Sequence, residues 1–388
     1  MDFRFSEEEE AFRKEVREFL AREWTLPEFD PDKPDDWAAA RAFEKKLVAN
    51  GWLTMAWPKQ YGGLEASHMT QLVFRDEMAY ARAPIVDRQG IAMVGPCIMV
   101  HGTPEQKERF LPPIAKGEVV WSQGFSEPNA GSDLASLQCR AVKDGDDYIV
   151  NGQKTWTTAG ARSDWIHTLV RTDPDAPKHR GISYLLIDMR SPGVSTQPIV
   201  NMTGQAGFYE TYFEDVRVPV ANRLGEENRG WYAAMTTLSF ERSTIGFASE
   251  GKRTLEELMH YCQETKSNGL ALIDDPKVRR KLANLAIEIN VARLISYKVA
   301  WLQSQGQVPI YEPSVAKAFT TELRQRIANT GMQILGLYGQ LDESSKWAPL
   351  AGRIKYQYLW TVGETIYAGS NEIQRNIIAQ RGLALPHE

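Results

Sequence analysis

The chain has 388 residues, enough for about two to three domains and for a buried core that needs no disulfide or metal. Hydrophobic residues make up 43% of the sequence and charged residues 24%, which is typical of a folded globular protein and excludes an intrinsically disordered one. The formal net charge of −5 excludes an overall basic surface, so we expect no nucleic-acid partner.

The cysteines and the apolar segments predict the compartment. Cys97, Cys139 and Cys262 lie far apart, with no C-x-x-C pair and no clustered histidines, so neither a disulfide framework nor a metal site is predicted. The N-terminal segment lacks the apolar region of a signal peptide, and no stretch reaches about 18 uninterrupted apolar residues. These patterns predict a cytoplasmic protein with no membrane partner.

Helical patterns fill the first third of the chain. Ser6 and Glu9 have the spacing of a capping box before an amphipathic run. Thr103 and Gln106 repeat that spacing, with Pro104 in the first helical turn. We therefore predict an N-terminal helical domain over residues 1–118.

Strand patterns replace the helices over residues 119–228. Turn signals occur at Asp144-Gly145 and Asn151-Gly152, and the apolar segments 181–189 and 208–220 lie between Gly, Pro and Asp clusters. The sequence therefore predicts a middle β-domain, barrel-like or a sandwich.

Long helical patterns return over residues 231–259, 276–303 and 315–339 and predict a C-terminal helical domain over residues 229–388. No repeat of about 20 to 50 residues is visible, so nothing in the sequence supports a solenoid or propeller. The predicted fold class is multi-domain α+β, with helices, then strands, then helices.

Short nucleotide and hydrolase motifs are absent from the sequence. No G-x-G-x-x-G follows a strand and no G-x-S-x-G occurs, so neither a Rossmann site nor a hydrolase elbow is predicted. The segment 246–252 approaches a P-loop, but Arg253 stands where Ser or Thr is required.

Five longer signatures remain: WPKQYGG at 57–63, HGTPEQKERFLP at 101–112, SEPNAGSD at 126–133, KTWTT at 154–158 and YAGSNEIQR at 367–375.

In this order, within this succession of domains, the five signatures resemble those of the acyl-CoA dehydrogenase family over essentially the whole chain. The resemblance implies one FAD per subunit, a fatty or related acyl-CoA thioester as substrate and an electron-transfer flavoprotein as partner. It also implies a C-terminal four-helix bundle that helps to build a homotetramer or homodimer, or else a hetero-oligomer. We therefore expect an FAD-dependent oxidoreductase acting on CH–CH.

The loop at 126–133 suits a ligand by itself, because its small residues let backbone N–H groups approach an anion or a flavin ring; an ordinary surface turn is the alternative. The resemblance assigns Ser126 to the flavin ring, and Ser132 to both pantetheine and flavin. It sets Trp156 and Thr158 against the flavin, with the Thr158 hydroxyl near N5, whereas core packing is the alternative for Trp156. The full cofactor set implied for this domain is Gln123, Phe125, Ser126, Gly131, Ser132, Trp156, Thr157 and Thr158.

A second contact loop is implied near the C-terminus. Ser370 and Glu372 match family residues that contact FAD, and Ala368 and Gly369 match residues at the acyl thioester. A helix N-cap at Ser370 or Asn371 would explain the same residue types, and the two interpretations are compatible.

Two departures from the family pattern concern the adenine side of the FAD site. Gln333 matches the start of an element that contacts FAD across a subunit interface, but Leu337 stands where the second Gly is expected. An Arg-x-x-Phe-Gly stretch is also missing, and Lys266 offers a charge there without the planar fork of an arginine.

The family reaction removes a proton α to the thioester carbonyl, which requires a carboxylate base in a dry pocket. Many members carry this base directly before the Gly that matches Gly369, where this chain has Ala368. The backbone N–H of Ala368 would still be able to polarise the thioester carbonyl.

Glu241 is the expected replacement. It shares an apolar helical stripe with Leu238 and Ile245, and a buried carboxylate requires a reason. The Glu241-Arg242 pair resembles family members that carry the base on this helix, which suggests a branched, cyclic or bulky acyl group and assigns Arg242 to the substrate or to orienting Glu241. A surface ion pair is the alternative, and Glu364, one turn before Ala368, is the other candidate base.

Two other functions remain open at this point. The departures at Ala368, Leu337 and Lys266 are compatible with a non-catalytic partner subunit of a hetero-oligomeric acyl-CoA dehydrogenase. A flavin oxidase or monooxygenase on the same scaffold would differ by rapid reaction of its reduced flavin with oxygen.

Overall fold

The structure is a computed structural model that describes residues 4–26, 29–240 and 244–386, with the backbone alone for residues 237–240. The helices in chain order are α1 (Glu7–Glu23), α2 (Pro34–Ala49), α3 (His68–Tyr80), α4 (Gly95–His101), α5 (Pro104–Ala115), α6 (Gly230–Phe240), α7 (Ile245–Glu264), α8 (Pro276–Ser304), α9 (Glu312–Leu335), α10 (Arg353–Glu364) and α11 (Asn371–Ile377). The strands are β1 (Trp121–Gly124), β2 (Arg140–Asp144), β3 (Asp147–Thr158), β4 (Trp165–Arg171), β5 (Ile182–Asp188), β6 (Val194–Ile199), β7 (Phe208–Pro219), β8 (Lys266–Ser267) and β9 (Leu270–Ala271).

The predicted fold class is confirmed, since helices α1–α5 precede strands β1–β7 and helices α6–α11 follow them. The domain boundaries at 118 and 228 stay a prediction. By their internal contacts the residues group into two compact units. We call Met1–Pro27, Ser67–Ala83 and Ser243–Glu388 the helical unit, and Glu28–Ala66 and Pro84–Arg242 the sheet unit.

The sheet unit is built on a seven-stranded mixed sheet with the order β1-β4-β2-β3-β7-β6, in which β5 also pairs with β4. Strands β1 and β4 run parallel, and the long pair β3 and β7 runs antiparallel. Two apolar clusters of described residues lie in its interior. One contains Trp121 stacked on Trp165 with Phe110 against both rings, and the other contains Tyr148, Val150 and Phe213.

The helical unit buries the facing sides of α7, α8 and α9. Leu258, Leu285 and Ile327 belong to this core. Asp76 on α3 connects two further helices, because its carboxylate accepts hydrogen bonds from Arg13 on α1 and Arg293 on α8. Within the part of the chain that the structure describes, no helix is long and apolar enough to cross a membrane.

Both predicted capping boxes are confirmed. Ser6 and Glu9 exchange side-chain and backbone hydrogen bonds at the start of α1, and Thr103 and Gln106 do so at the start of α5. The turn at Asp144-Gly145 is confirmed as well, because it joins β2 to β3.

The turn predicted at Asn151-Gly152 is wrong, because both residues lie inside β3. The pairing of β3 with β7 shifts register between Val150 and Gly152, which is a β-bulge. Gly152 has φ +146°, and a Cβ added to it would lie 2.7 Å from the Cα of Cys139. The glycine therefore serves close packing within the sheet.

A single helix over 231–259 is also wrong. Helix α6 ends at Phe240, and α7 begins at Ile245 with Thr244 as its N-cap residue in a non-helical conformation. Glu241 and Arg242 lie outside the described residues, so the predicted stripe position of Glu241 stays a prediction.

Candidate active site

The loop at 126–133 follows β1 after one intervening residue, Phe125, and is held by its own backbone hydrogen bonds. The N–H groups of Glu127 and Ala130 each donate to the other residue's carbonyl oxygen over 3.0 Å. The N–H of Thr155 on β3 donates to the carbonyl oxygen of Ser126 over 2.9 Å. The loop is therefore attached to the strand that carries Trp156 and Thr158.

A buried ion pair strengthens this attachment. Lys154 has no exposed surface, and its Nζ donates to Glu127 Oε1 over 2.6 Å and to the carbonyl oxygen of Phe125 over 3.3 Å. The Glu127 carboxylate also accepts from the backbone N–H groups of Gln138 and Cys139. A buried charge is tolerated only when it is paired and hydrogen-bonded, and both charges here meet that condition.

Trp156 has an unusual backbone conformation. Its φ is +61°, a left-handed value that is strained for any residue with a Cβ. The register of β3 against β7 shifts between Lys154 and Thr157, so Trp156 lies in a second bulge. Its side chain is 56% exposed and packs edge-on against Phe208 alone among described aromatic residues. Core packing is therefore wrong as an explanation for Trp156, and a strained, exposed aromatic residue is typical of a ligand site.

Thr158 is exposed like Trp156, but Thr157 is different. The Thr157 side chain is fully buried, and its Oγ1 accepts a hydrogen bond from Thr211 over 3.0 Å. Successive strand residues point to opposite faces of a sheet. Only the backbone of Thr157 is therefore available to a ligand shared by Trp156 and Thr158.

The remaining sequence-predicted residues of the sheet unit differ in exposure. Phe125 is buried and packs edge-on against His167 and Tyr184, so it offers its backbone rather than its ring. Gln123 is half-buried, and its amide contacts the sulfur of Met93 over 3.5 Å. Ser126 is half-buried, while Gly131 and Ser132 are exposed, and a Cβ added to Gly131 would meet no atom within 4 Å.

These features fit a flavin. A site for a planar aromatic ring system requires an exposed apolar face, polar groups at the ring's edge and backbone that can approach closely. Trp156 offers the apolar face, Thr158 a polar group and the loop at 126–133 the backbone. The sheet unit therefore supplies a suitable lining for the isoalloxazine side of the cofactor.

The C-terminal candidate loop belongs to the helical unit and lies between α10 and α11. Ala368 has φ +53° and Gly369 φ +80°, so two successive residues are left-handed. Ala368 as a residue is exposed, and no described residue accepts a hydrogen bond from its N–H. The predicted N-cap is confirmed, because Ser370 Oγ accepts from the N–H of Ile373 at the start of α11.

Glu372 and Gln333 are both exposed on the helical unit. The pKa of Glu372 is lowered by hydrogen bonds at the N-terminus of α11, so it is an anion at neutral pH. Gln333 accepts a hydrogen bond from Lys281 over 2.6 Å. Leu337, which replaces the expected second Gly, is 82% exposed, so its side chain projects from the surface beside this element.

Glu364, the second candidate base, is held inside the helical unit. It is 1% exposed, and its carboxylate lies 2.9 Å from the Nε of Arg324. Burial raises the pKa of Glu364 to about 7, although the Arg324 charge opposes this shift. Glu364 is thus paired with Arg324, although its Oε2 makes no hydrogen bond to a described residue, and it stays the other candidate base.

Two contacts at the candidate loops were not predicted from the sequence, those of Lys154 and of Lys317 on α9. Lys317 is buried and donates to the carbonyl oxygen of Gly369 over 2.8 Å. A signal was available only for Lys317, which stands among the apolar residues of VAKAF, because Lys154 has the polar neighbours Gln153 and Thr155. Sequence alone identifies such a residue but not its partner.

Comparison with known proteins identifies the family. The family model for the acyl-CoA dehydrogenase N-terminal domain matches residues 6–118, the middle-domain model matches 122–216 and the C-terminal-domain model matches 228–383. Acyl-CoA dehydrogenase FadE26 of Mycobacterium tuberculosis is 38% identical over 404 residues, covering 100% of this chain and 99% of that protein.

Two solved structures are similar over their full length. The ChsE4-ChsE5 complex from Mycobacterium tuberculosis matches with a TM-score of 0.90 and 38% identity, covering 100% of both chains. The Tcur3481-Tcur3483 steroid ACAD matches with a TM-score of 0.90 and 34% identity, again covering 100% of both chains. From its motifs, its fold and these similarities, the chain belongs to the acyl-CoA dehydrogenase family of flavoprotein oxidoreductases.

Proposed function

We propose that this protein binds FAD and performs the α,β-dehydrogenation of an acyl-CoA thioester. The observation that carries the proposal is Trp156, an exposed aromatic side chain in a left-handed conformation within a β-bulge. The surrounding fold maintains this strain of about 1 to 2 kcal/mol without using the ring in a core. A ligand with a flat aromatic surface gives the ring a function.

The bound FAD would supply the acceptor for the hydride that leaves the β-carbon. Trp156 and Thr158 would line its ring, and the loop at 126–133 would bind its polar edge through Ser126 and the Gly131 and Ser132 backbone. Ser132 would also approach the pantetheine. In the helical unit, the Ala368 N–H would donate to the thioester carbonyl, and Ser370 and Glu372 would contact FAD from the start of α11.

Glu241 is the proposed catalytic base, and Arg242 the residue that orients it or contacts the thioester side of the substrate. The sequence pattern supports Glu241 as the base. The other candidate, Glu364, is paired with Arg324. The proton removed from the α-carbon would move to the Glu241 carboxylate while the β-carbon loses its hydride.

The proposed substrate is a branched, cyclic or bulky acyl-CoA. A base at Glu241, between α6 and α7 in the sequence, rather than in the C-terminal loop suggests such a group, and one similar solved protein is described as a steroid ACAD. The proposed electron acceptor is an electron-transfer flavoprotein. We also propose a cytoplasmic location, as the cysteine spacing predicts.

An oligomer is proposed from one apolar stripe on α10 and the residues that follow it. Tyr358 and Val362 lie one turn apart on the same face of α10, Ile366 follows in the turn after the helix, and all three are exposed. Contiguous exposed apolar side chains are typical of a subunit interface. Homotetramer, homodimer and hetero-oligomer are each compatible with this stripe.

The test is anaerobic mixing of the flavin-loaded protein with a panel of straight, branched and steroid-side-chain acyl-CoA thioesters. Loss of the flavin absorbance near 450 nm with at least one thioester is expected, since flavin reduction reports hydride transfer. Flavin that stays oxidised with every thioester would contradict the proposed function.

The second candidate is a partner subunit that completes a hetero-oligomer. The similar ChsE4-ChsE5 structure contains two differently named chains, and this chain departs from the family pattern at Leu337 and Ala368. This candidate predicts a folded but flavin-free protein when the chain is produced alone.

A further inference from the structure

Lys317 on α9 binds the loop between α10 and α11 through hydrogen bonds from its ammonium group. Its Nζ donates to the carbonyl oxygen of Gly369 over 2.8 Å and to Oδ1 of Asn371 over 2.9 Å. Lys317 is buried, so its charge is not explained by contact with solvent. A buried ammonium is costly without partners, and both partners belong to one segment of four residues.

The conformation of that segment requires support. Ala368 and Gly369 are both left-handed, and the left-handed region costs about 1 to 2 kcal/mol for a residue with a Cβ such as Ala368. Gln374 contributes weaker contacts, donating to the carbonyl oxygens of Ala368 and Gly369 over 3.3 and 3.2 Å. A Cβ added at Gly369 would lie 2.5 Å from the Gln374 amide nitrogen, so the turn is closely packed on this side.

Asn371 extends the same network into α9. Its Nδ2 donates to Thr321 Oγ1 over 3.2 Å and to Glu322 Oε1 over 3.1 Å, and Asn371 is itself buried. The Lys317 ammonium thus links the carbonyl of Gly369 to the first residue of α11. Removing it would leave the Gly369 carbonyl held by the longer Gln374 contact alone among the described side chains.

The charges around Lys317 keep a proton on it. Burial lowers the pKa of Lys317 to about 8, and Glu364, Glu372 and Glu322 oppose that shift. Lys317 is therefore largely an ammonium at neutral pH and can use two N–H groups on the loop at once.

We propose that Lys317 is a positioning residue, which fixes the Ala368–Gly369 turn so that the N–H of Ala368 faces the thioester carbonyl of the substrate. This inference rests on the proposed function, because the thioester is the ligand that the amide would meet. Lys317 acts through the turn and does not itself touch the substrate. The side chain that many family members have at the position of Ala368 is absent here, so the amide is the contribution of Ala368 to the site.

The test compares the wild-type full-length protein with Lys317→Met, which keeps the length of the side chain but removes its charge and donors. Lys317→Arg keeps donors and charge. Thr320→Val is the matched control, because Thr320 is buried on the same helix and its hydroxyl has no hydrogen-bond partner among the described residues. All four proteins are measured for amide hydrogen exchange of residues 366–374, for the Kd of acyl-CoA and for the maximal rate of flavin reduction.

Lys317→Met is expected to increase exchange in residues 366–374 and to slow flavin reduction about 10- to 100-fold, the effect of a misplaced group, while the Kd changes less than about threefold. Lys317→Arg should recover part of the rate, and Thr320→Val should match the wild type. Unchanged exchange in Lys317→Met, or equal effects in Thr320→Val, would overturn the proposal. If the wild type is not reduced by any thioester, the proposed function fails, while the exchange measurement still decides whether Lys317 fixes the turn.

Discussion

The ammonium of Lys154 lies 2.6 Å from the carboxylate of Glu127, and this buried pair joins two of the five sequence signatures. Glu127 belongs to the loop at 126–133, and Lys154 lies two residues before Trp156. The pair therefore holds both halves of the proposed flavin lining in the sheet unit in one arrangement.

Lys154→Met should destabilise the protein strongly, because it leaves the Glu127 carboxylate buried without a countercharge. The expected loss in the free energy of unfolding is about 3 to 5 kcal/mol, with loss of bound flavin. Urea denaturation and flavin absorbance measure the two effects. The double variant Lys154→Met/Glu127→Gln should recover part of the stability, because the uncompensated charge is then gone.

The matched control for this prediction is Arg217→Met, which breaks the ion pairs of Arg217 on β7 with Asp144 on β2 and Asp147 on β3. Exposed pairs contribute little to stability, so little change is expected. An equal loss of stability in both single variants would show that the buried pair has no special role.

Trp156→Gly separates stability from cofactor binding. Glycine adopts φ +61° without strain, which offsets the greater freedom it gives to the unfolded chain, so the free energy of unfolding of the flavin-free protein should stay within about 1 kcal/mol. Flavin retention should fall, because the exposed ring is gone. Val142→Ala, at another exposed residue of the sheet, should keep its flavin. A Trp156→Gly protein with full flavin content would remove Trp156 from the site.

Asp87 should make the stability of the protein depend on pH. Its carboxylate is completely buried and accepts from the N–H groups of Trp121 and Gly90 over 2.7 and 3.1 Å. Burial raises the pKa of Asp87 well above its ordinary value, since a charged carboxylate is disfavoured there, and the nearby Glu44 adds to the shift.

Because the folded state binds this proton more tightly, the stabilisation is present below the ordinary Asp pKa and is lost as the pH rises through the raised value. Asp87→Asn keeps an oxygen that accepts both N–H groups but cannot ionise. Its free energy of unfolding should therefore fall less with increasing pH than that of the wild type, whereas the exposed Asp146→Asn should follow the wild type. Parallel pH profiles for Asp87→Asn and the wild type would contradict the assignment.

Val362→Glu tests the proposed interface on α10. A charge in the middle of the exposed stripe of Tyr358, Val362 and Ile366 should shift sedimentation toward smaller species, because burying it in an interface is unfavourable. Leu270→Glu, at an exposed apolar residue of β9, should leave the sedimentation unchanged. The stripe is not an interface if Val362→Glu sediments like the wild type.

The sequence predicts the succession of helices and strands and both capping boxes, because these depend on neighbouring residues. It fails at Asn151-Gly152, where the glycine is required by packing against Cys139, the residue that precedes β2. It also fails at Thr244, where apolar periodicity continues although the helix does not. The site residues were accessible through motifs, but the partners of Lys154 and Lys317 were not, since 27 and 52 residues separate the bonded groups.

The most direct test of the proposed activity is to purify the chain, count bound flavin per subunit and follow its reduction by acyl-CoA in the wild type and in Glu241→Gln. About one flavin per chain, reduced in the wild type and not in the folded, flavin-loaded variant, is the predicted result. A wild type whose bound flavin no thioester reduces, or a Glu241→Gln variant reduced as fast as the wild type, would contradict the proposed reaction or its base respectively.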